Sequence, residues 1–255
     1  MRAISMLLMG LVVVLAPICR ATPARADQPF SAYSEIAFRT GQGFPKWQAI
    51  QQRLVEEAGA VQGCLATGEC GSSTAAEIAR RLKDVVARQP LEQAEAVQRM
   101  MNARPYKDDV SQFGRNDVWQ TPFAFWDNGG DCEDYAIAKY LALRVLGFSE
   151  AQLRLTVMTS RTRREVHAVL LVALGEDWYV ADNLKRGLRG LDDYGAWKPE
   201  FSVSDAGVWR YVARSAAAEQ VAAADKPAAP LPEPAGTVAT SSQQARSAAS
   251  IRARL

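Results

Sequence analysis

The chain has 255 residues, 48% of them apolar and 23% charged, enough for one well-buried domain. Its 30 basic residues are nearly matched by 28 acidic ones, and this near-neutral balance argues against a nucleic-acid partner.

The N-terminus reads as a secretory signal. Arg2 precedes an apolar run from Ile4 to Ile18, and Ala24-Arg25-Ala26 is a small-x-small cleavage site. Cleavage after Ala26 would remove Arg2, Arg20 and Arg25 and no acid, leaving 27 basic and 28 acidic residues. A retained anchor is the alternative, but the run is shorter than the roughly 20 residues a span needs. A lipoprotein signal would want a small residue before Cys19, where Ile18 stands. At the other end, residues 215–255 hold 14 Ala and 4 Pro and no aromatic. Such a stretch buries too little apolar area to offset its ordering entropy, so a disordered tail is expected there. A helix over 216–224 is the alternative, which Pro227 and the prolines after it would stop. Residues 27–214 remain as the folded domain.

The first helix is expected over 45–58, with Pro45 in its first turn and Trp47, Ile50 and Leu54 on one face. Cys64 and Cys70 then bracket a turn-like segment. Export favours a disulfide between them; a metal site is the weaker alternative because no His is near. Ser72-Ser73-Thr74 caps a second helix through about residue 87, with Ile78, Leu82 and Val85 or Val86 inward. A third helix starts at Pro90 and runs to about 101. Residues 102–122 are loop-rich and carry Asn116, Asp117, Trp119 and Gln120. A helix follows over 132–146, ended by Gly147, with Ile137, Tyr140 and Leu141 inward. Strand patterns cover 153–158, 166–174 and 178–181, and the segments 201–203 and 209–212 can add more. Helices first and strands later predict an α+β fold.

Cys132 stands at the predicted helix start behind Gly129-Gly130. Unpaired N–H groups and the dipole there favour a thiolate and can stabilise an oxyanion. A small buried hydrophobe is the competing reading of such a cysteine. Three acids oppose activation: Asp131, Glu133 and Asp134 should raise the thiol pKa. Asp131 as N-cap and Asp134 as its capping-box partner would explain two of them, leaving Glu133. A hard cation, most naturally calcium, would explain all three and cancel their field on the sulfur.

The chain has one histidine, His167, and any imidazole chemistry must pass through it. Gly175-Glu176 fits a two-residue hairpin turn with Gly first. Pairing Leu174 with Asp177 then places Asp182 opposite Val169, on the same sheet face as His167 and roughly 7–8 Å from it at the backbone. A three-residue turn would separate them to opposite faces. The order Cys132, His167, Asp182 is that of a thiol nucleophile, its base and the group orienting the base.

The runs Asp117-Val118-Trp119-Gln120-Thr121-Pro122, Gly130-Asp131-Cys132-Glu133-Asp134-Tyr135-Ala136-Ile137-Ala138-Lys139-Tyr140, His167-Ala168-Val169-Leu170 and Ala181-Asp182-Asn183-Leu184 resemble the bacterial transglutaminase-like cysteine proteinases. The resemblance spans about 30–212 and implies a papain-like, transglutaminase-type α+β fold. It implies the triad Cys132, His167 and Asp182, and a calcium site at Asp131 and Glu133 with Asp134. It further implies a periplasmic endopeptidase that cuts the N-terminal region of a large surface adhesin near paired alanines and so releases biofilm cells. An inner-membrane receptor for cyclic di-GMP is the implied regulator. Two other functions remain open: acyl transfer in the same fold, and a non-catalytic calcium-dependent binding module. Trp119 is a candidate to line the site, or a core aromatic.

Overall fold

The computed structural model describes residues 28–38, 44–163 and 165–214. The expected signal over 1–26 and the expected tail over 215–255 lie outside these residues. Among the described residues no helix is long and apolar enough to cross a membrane.

Strand β1 (Tyr33–Phe38) comes first, then helices α1 (Pro45–Thr67), α2 (Ser73–Leu82), α3 (Pro90–Asn102), α4 (Asp109–Phe113), α5 (Pro122–Asn128) and α6 (Cys132–Val145). Strands β2 (Leu153–Ser160), β3 (Val166–Leu174), β4 (Asp177–Ala181), β5 (Arg189–Gly190), β6 (Trp197–Ser204) and β7 (Gly207–Ala213) complete it. They form one sheet in the order β1-β7-β6-β2-β3-β4-β5. Every neighbouring pair is antiparallel. Helices precede the main sheet in sequence, as expected for α+β.

Helix α6 is buried on nearly all sides, from Glu133 through Leu143. It packs against β2 and β3 and is flanked by α1, α3 and α5. Ile137 and Leu141 meet Leu153, Leu155, Leu170 and Val172 in the main core. Each such side chain contributes about 1.5–3 kcal/mol by leaving water. Alternation along β3 sends Val169, Leu171 and Ala173 to the other face of the sheet. There a smaller cluster forms with Met158, Trp178, Val180 and Tyr194, against Phe30, Leu191 and Trp197.

Several boundaries differ from the sequence expectation. Helix α1 runs past 58 to Thr67, because its buried stripe continues through Val61 and Cys64 despite Gly59 and Gly63. Gly68 at φ 79° ends it, and the expected bond between Cys64 and Cys70 ties that end down. Helix α2 stops at Leu82, five residues early; Val85 is buried and Val86 is exposed. The loop-rich stretch contains α4, and α5 has no counterpart among the expected helices. Strand β1 has none among the expected strands, since its partner, β7, lies at the far end of the domain.

Candidate active site

The start of α6 is fixed by two glycines that nothing larger could replace. Gly129 sits at φ 79°, and a Cβ there would collide with the Pro105 carbonyl. At Gly130 a Cβ would collide with the Asp134 carboxylate. Free of side chains, this segment runs beside residues 105–107: Lys107 N–H donates to the Gly130 carbonyl at 2.9 Å. Asp131 caps the helix, and its N–H donates to Asp134 at 3.3 Å, as the capping-box reading expected. Asp134 is fully buried and also accepts the Gln120 backbone N–H at 2.8 Å and its side-chain amide at 2.7 Å. Gln120 is thereby committed to holding the helix start. Burial pushes the Asp134 carboxyl up to about 7 against these donors.

Cys132 is the one free cysteine among the described residues and is partly exposed. Its thiol donates to Glu133 Oε2 at 3.2 Å. Burial and then the Glu133 charge push the thiol well above its ordinary range. Burial, with Asp131 beside it, pushes Glu133 up to about 8. The concern raised by the three acids therefore stands: burial and the neighbouring acids both disfavour the thiolate. One group works the other way, the backbone N–H of Ala168, which points at the sulfur. The hairpin explains why it is free to do so. Leu174 pairs with Asp177 and Leu170 with Ala181, so alternate β3 residues turn their N–H groups toward β4. Strand β4 ends at Ala181, and Ala168 extends beyond it.

The same register brings His167 and Asp182 together. Gly175 at φ 67° makes the tight turn, and His167 Nε2 lies 2.8 Å from Asp182 Oδ1. Both side chains are buried. Asp182 also accepts the Leu184 N–H at 2.9 Å and the Tyr194 hydroxyl at 2.8 Å. Burial alone would raise this carboxyl; His167, Leu184 and Tyr194 outweigh it and hold it down at about 2. With Nε2 turned to Asp182, Nδ1 is the ring nitrogen that Asp182 does not engage. Trp197 lies against the imidazole, ring centroids 5.6 Å apart. From α3, Gln98 and Asn102 donate to the Asp182 carbonyl at 2.7 and 3.2 Å.

Two acidic groupings surround Cys132. Asp131, Cys132 and Glu133 bring ligand atoms within 4.8 Å of one another, and so do Asp109, Asp131 and Asp134. The three acids named from sequence are thus shared between two groupings that meet at Asp131. Asp109 escapes sequence reasoning; it sits on α4, buried, and nothing local in its sequence marks it. Asp109 Oδ1 and Asp131 Oδ1 are buried without a hydrogen-bond partner. Unpaired, buried carboxylate oxygens of this kind suit a hard cation. Trp119 instead packs on Phe44 at 5.3 Å and donates to Asp117, which makes it part of the scaffold.

Residues 59–216 match the family model described as bacterial transglutaminase-like cysteine proteinase, BTLCP. The chain belongs to this family. It is a cysteine peptidase by that membership, and a peptidase of this family acts on a protein substrate. Solved structures of Legionella pneumophila LapG are similar to it. One is 24% identical over 65% of this chain and 94% of that chain, with a TM-score of 0.50. An EGTA-treated form is 25% identical over 60% and 84%, also at 0.50. A calcium-bound form is 25% identical over 62% and 86%, at 0.49. No curated protein sequence matches the chain significantly. The transglutaminase-like α+β fold expected from the sequence is the fold observed.

Proposed function

We propose that this transglutaminase-like peptidase is a periplasmic, calcium-dependent endopeptidase working through Cys132, His167 and Asp182. The observation that carries the reading is the 2.8 Å contact between His167 Nε2 and Asp182, on the strand whose next residue turns its N–H to the only free thiol among the described residues. His167 Nδ1 takes the Cys132 proton as sulfur attacks the scissile carbonyl, and returns it to the leaving amine. The N–H groups at the start of α6 face the developing oxyanion. Water then enters, His167 again acts as base, and hydrolysis of the thioester frees the enzyme. Asp182 fixes the imidazole tautomer and stays anionic throughout.

Calcium enters through the acids. Asp131 and Glu133, with Asp109 and Asp134, would hold it, and it would supply the positive charge that this thiol lacks. The family likeness supports a large adhesin, cut in its N-terminal region, as substrate, and an inner-membrane cyclic di-GMP receptor as regulator. Export rests on the expected signal over residues 1–26. The test is cleavage of a purified adhesin N-terminal fragment carrying an alanine pair. Wild type should cut it in calcium and not in excess chelator, with magnesium failing to restore cutting. Cutting by the Cys132→Ala variant would refute the reading.

A further inference from the structure

Lys139 is fully buried, in contact with no solvent, beside the carboxylate of the proposed triad. It lies seven residues after Cys132, two turns along the same face of α6. Its Nζ donates to the carbonyl of Ala181 at 3.2 Å. Ala181 is the last residue of β4 and immediately precedes Asp182. A buried amine is costly, and in most cores a methionine or leucine would serve the packing better. The charged group that faces it is Asp182, from the end of β4; from its own helix the Tyr135 ring lies 5.8 Å away. Burial holds this amine down at about 7 against the pull of Asp182. An amine donates to the Ala181 carbonyl in either protonation state.

Two helices therefore grip the same short stretch of backbone. Gln98 and Asn102 of α3 hold the Asp182 carbonyl from one side. Lys139 of α6 holds the Ala181 carbonyl from the other. Of these three side chains, Lys139 alone runs from the helix that carries the nucleophile to the strand end that carries the acid. We propose that Lys139 is a positioning residue for proteolysis: its buried amine ties the Cys132 helix to the end of β4, fixing Asp182 and through it His167 relative to the sulfur. The proposal rests on the triad reading above.

The test replaces Lys139 by Met, which fills the space without a donor, and by Gln, whose amide falls short of Ala181. Three quantities are read on the full chain: thermal stability, kcat and KM on a fluorogenic peptide with an alanine pair, and the imidazole NMR signals. The single histidine makes those signals unambiguous. Lys139→Met should fold with undiminished stability, because it removes a buried amine. Its kcat should fall about 10–100-fold with KM little changed, as expected for reacting groups displaced by a fraction of an ångström to an ångström. The His167 signals should move, since the carboxylate they report on is no longer held. Should Lys139→Met fail to fold, Lys139→Gln carries the same expectations. A folded variant of either kind with wild-type kcat and unmoved His167 signals overturns the proposal. So does a loss of activity that only tracks loss of folded protein. Failure of the triad reading shows separately, as cleavage surviving in Cys132→Ala.

Discussion

Asp182 accepts hydrogen bonds from His167, Leu184 and Tyr194, and these contacts hold its carboxyl down at about 2. The folded-state value lies below the ordinary 3.8, so the stabilisation is present above about pH 4 and is lost as pH falls through about 2. It amounts to about 2 kcal/mol, and Asp182→Asn should flatten acid unfolding over that window in a denaturant series by pH. Tyr194→Phe deletes one of the three donors and keeps the ring in its cluster. It should cost about 1 kcal/mol of stability and roughly tenfold in kcat/KM; unchanged kinetics would show that Tyr194 serves packing alone. The pairing of His167 with Asp182 is legible in the sequence, because Gly175-Glu176 sets the hairpin register and register sets the face. The roles of Tyr194, Lys139 and Asp109 are not. Each reaches the site through tertiary packing, and a tyrosine after a short β5, a lysine inside a helix or an acid in a loop-rich stretch carries no local mark of its target.

At the scale of elements, the start of α6 decides how Cys132, the proposed nucleophile, is presented. The loop through Pro105, the Gly129-Gly130 pair and the buried Asp134–Gln120 contacts form one close-packed joint. Gly130→Ala places a methyl group into Asp134 and Gln120 and should destabilise the protein by about 2–4 kcal/mol, measured by chemical denaturation. A variant as stable as wild type would mean that the joint is loose. The helix start and its cap are legible in the sequence through Asp131 and Asp134. The extent of α1 is not, because Gly59 and Gly63 lower its intrinsic propensity and burial of Val61 and Cys64 overrides them. Strand β1 escapes for a different reason. It pairs with β7, Tyr33 with Ala213, and no short-range pattern announces a partner at the other end of the domain.

Across the whole molecule, the sheet and helix α6 bring one thiol, one imidazole and a cluster of acids to the end of the sheet where β4 stops. The arrangement sets the proposed nucleophile among acids that oppose its ionisation, and a bound cation would offset them. Calcium should therefore raise both thermal stability and the rate of Cys132 alkylation by iodoacetamide, with magnesium giving much less of either. The central claim is that peptide bonds are cut through a thioester on Cys132 with His167 as base. Its most direct test is the mass of the Cys132-containing peptide, trapped by acid quench within the first turnover on an activated alanine-pair ester in calcium. The account predicts an acyl adduct on Cys132 in the wild type that is absent from His167→Ala. Turnover of the ester with no adduct on Cys132, or an adduct that forms as fast without the imidazole, would contradict it.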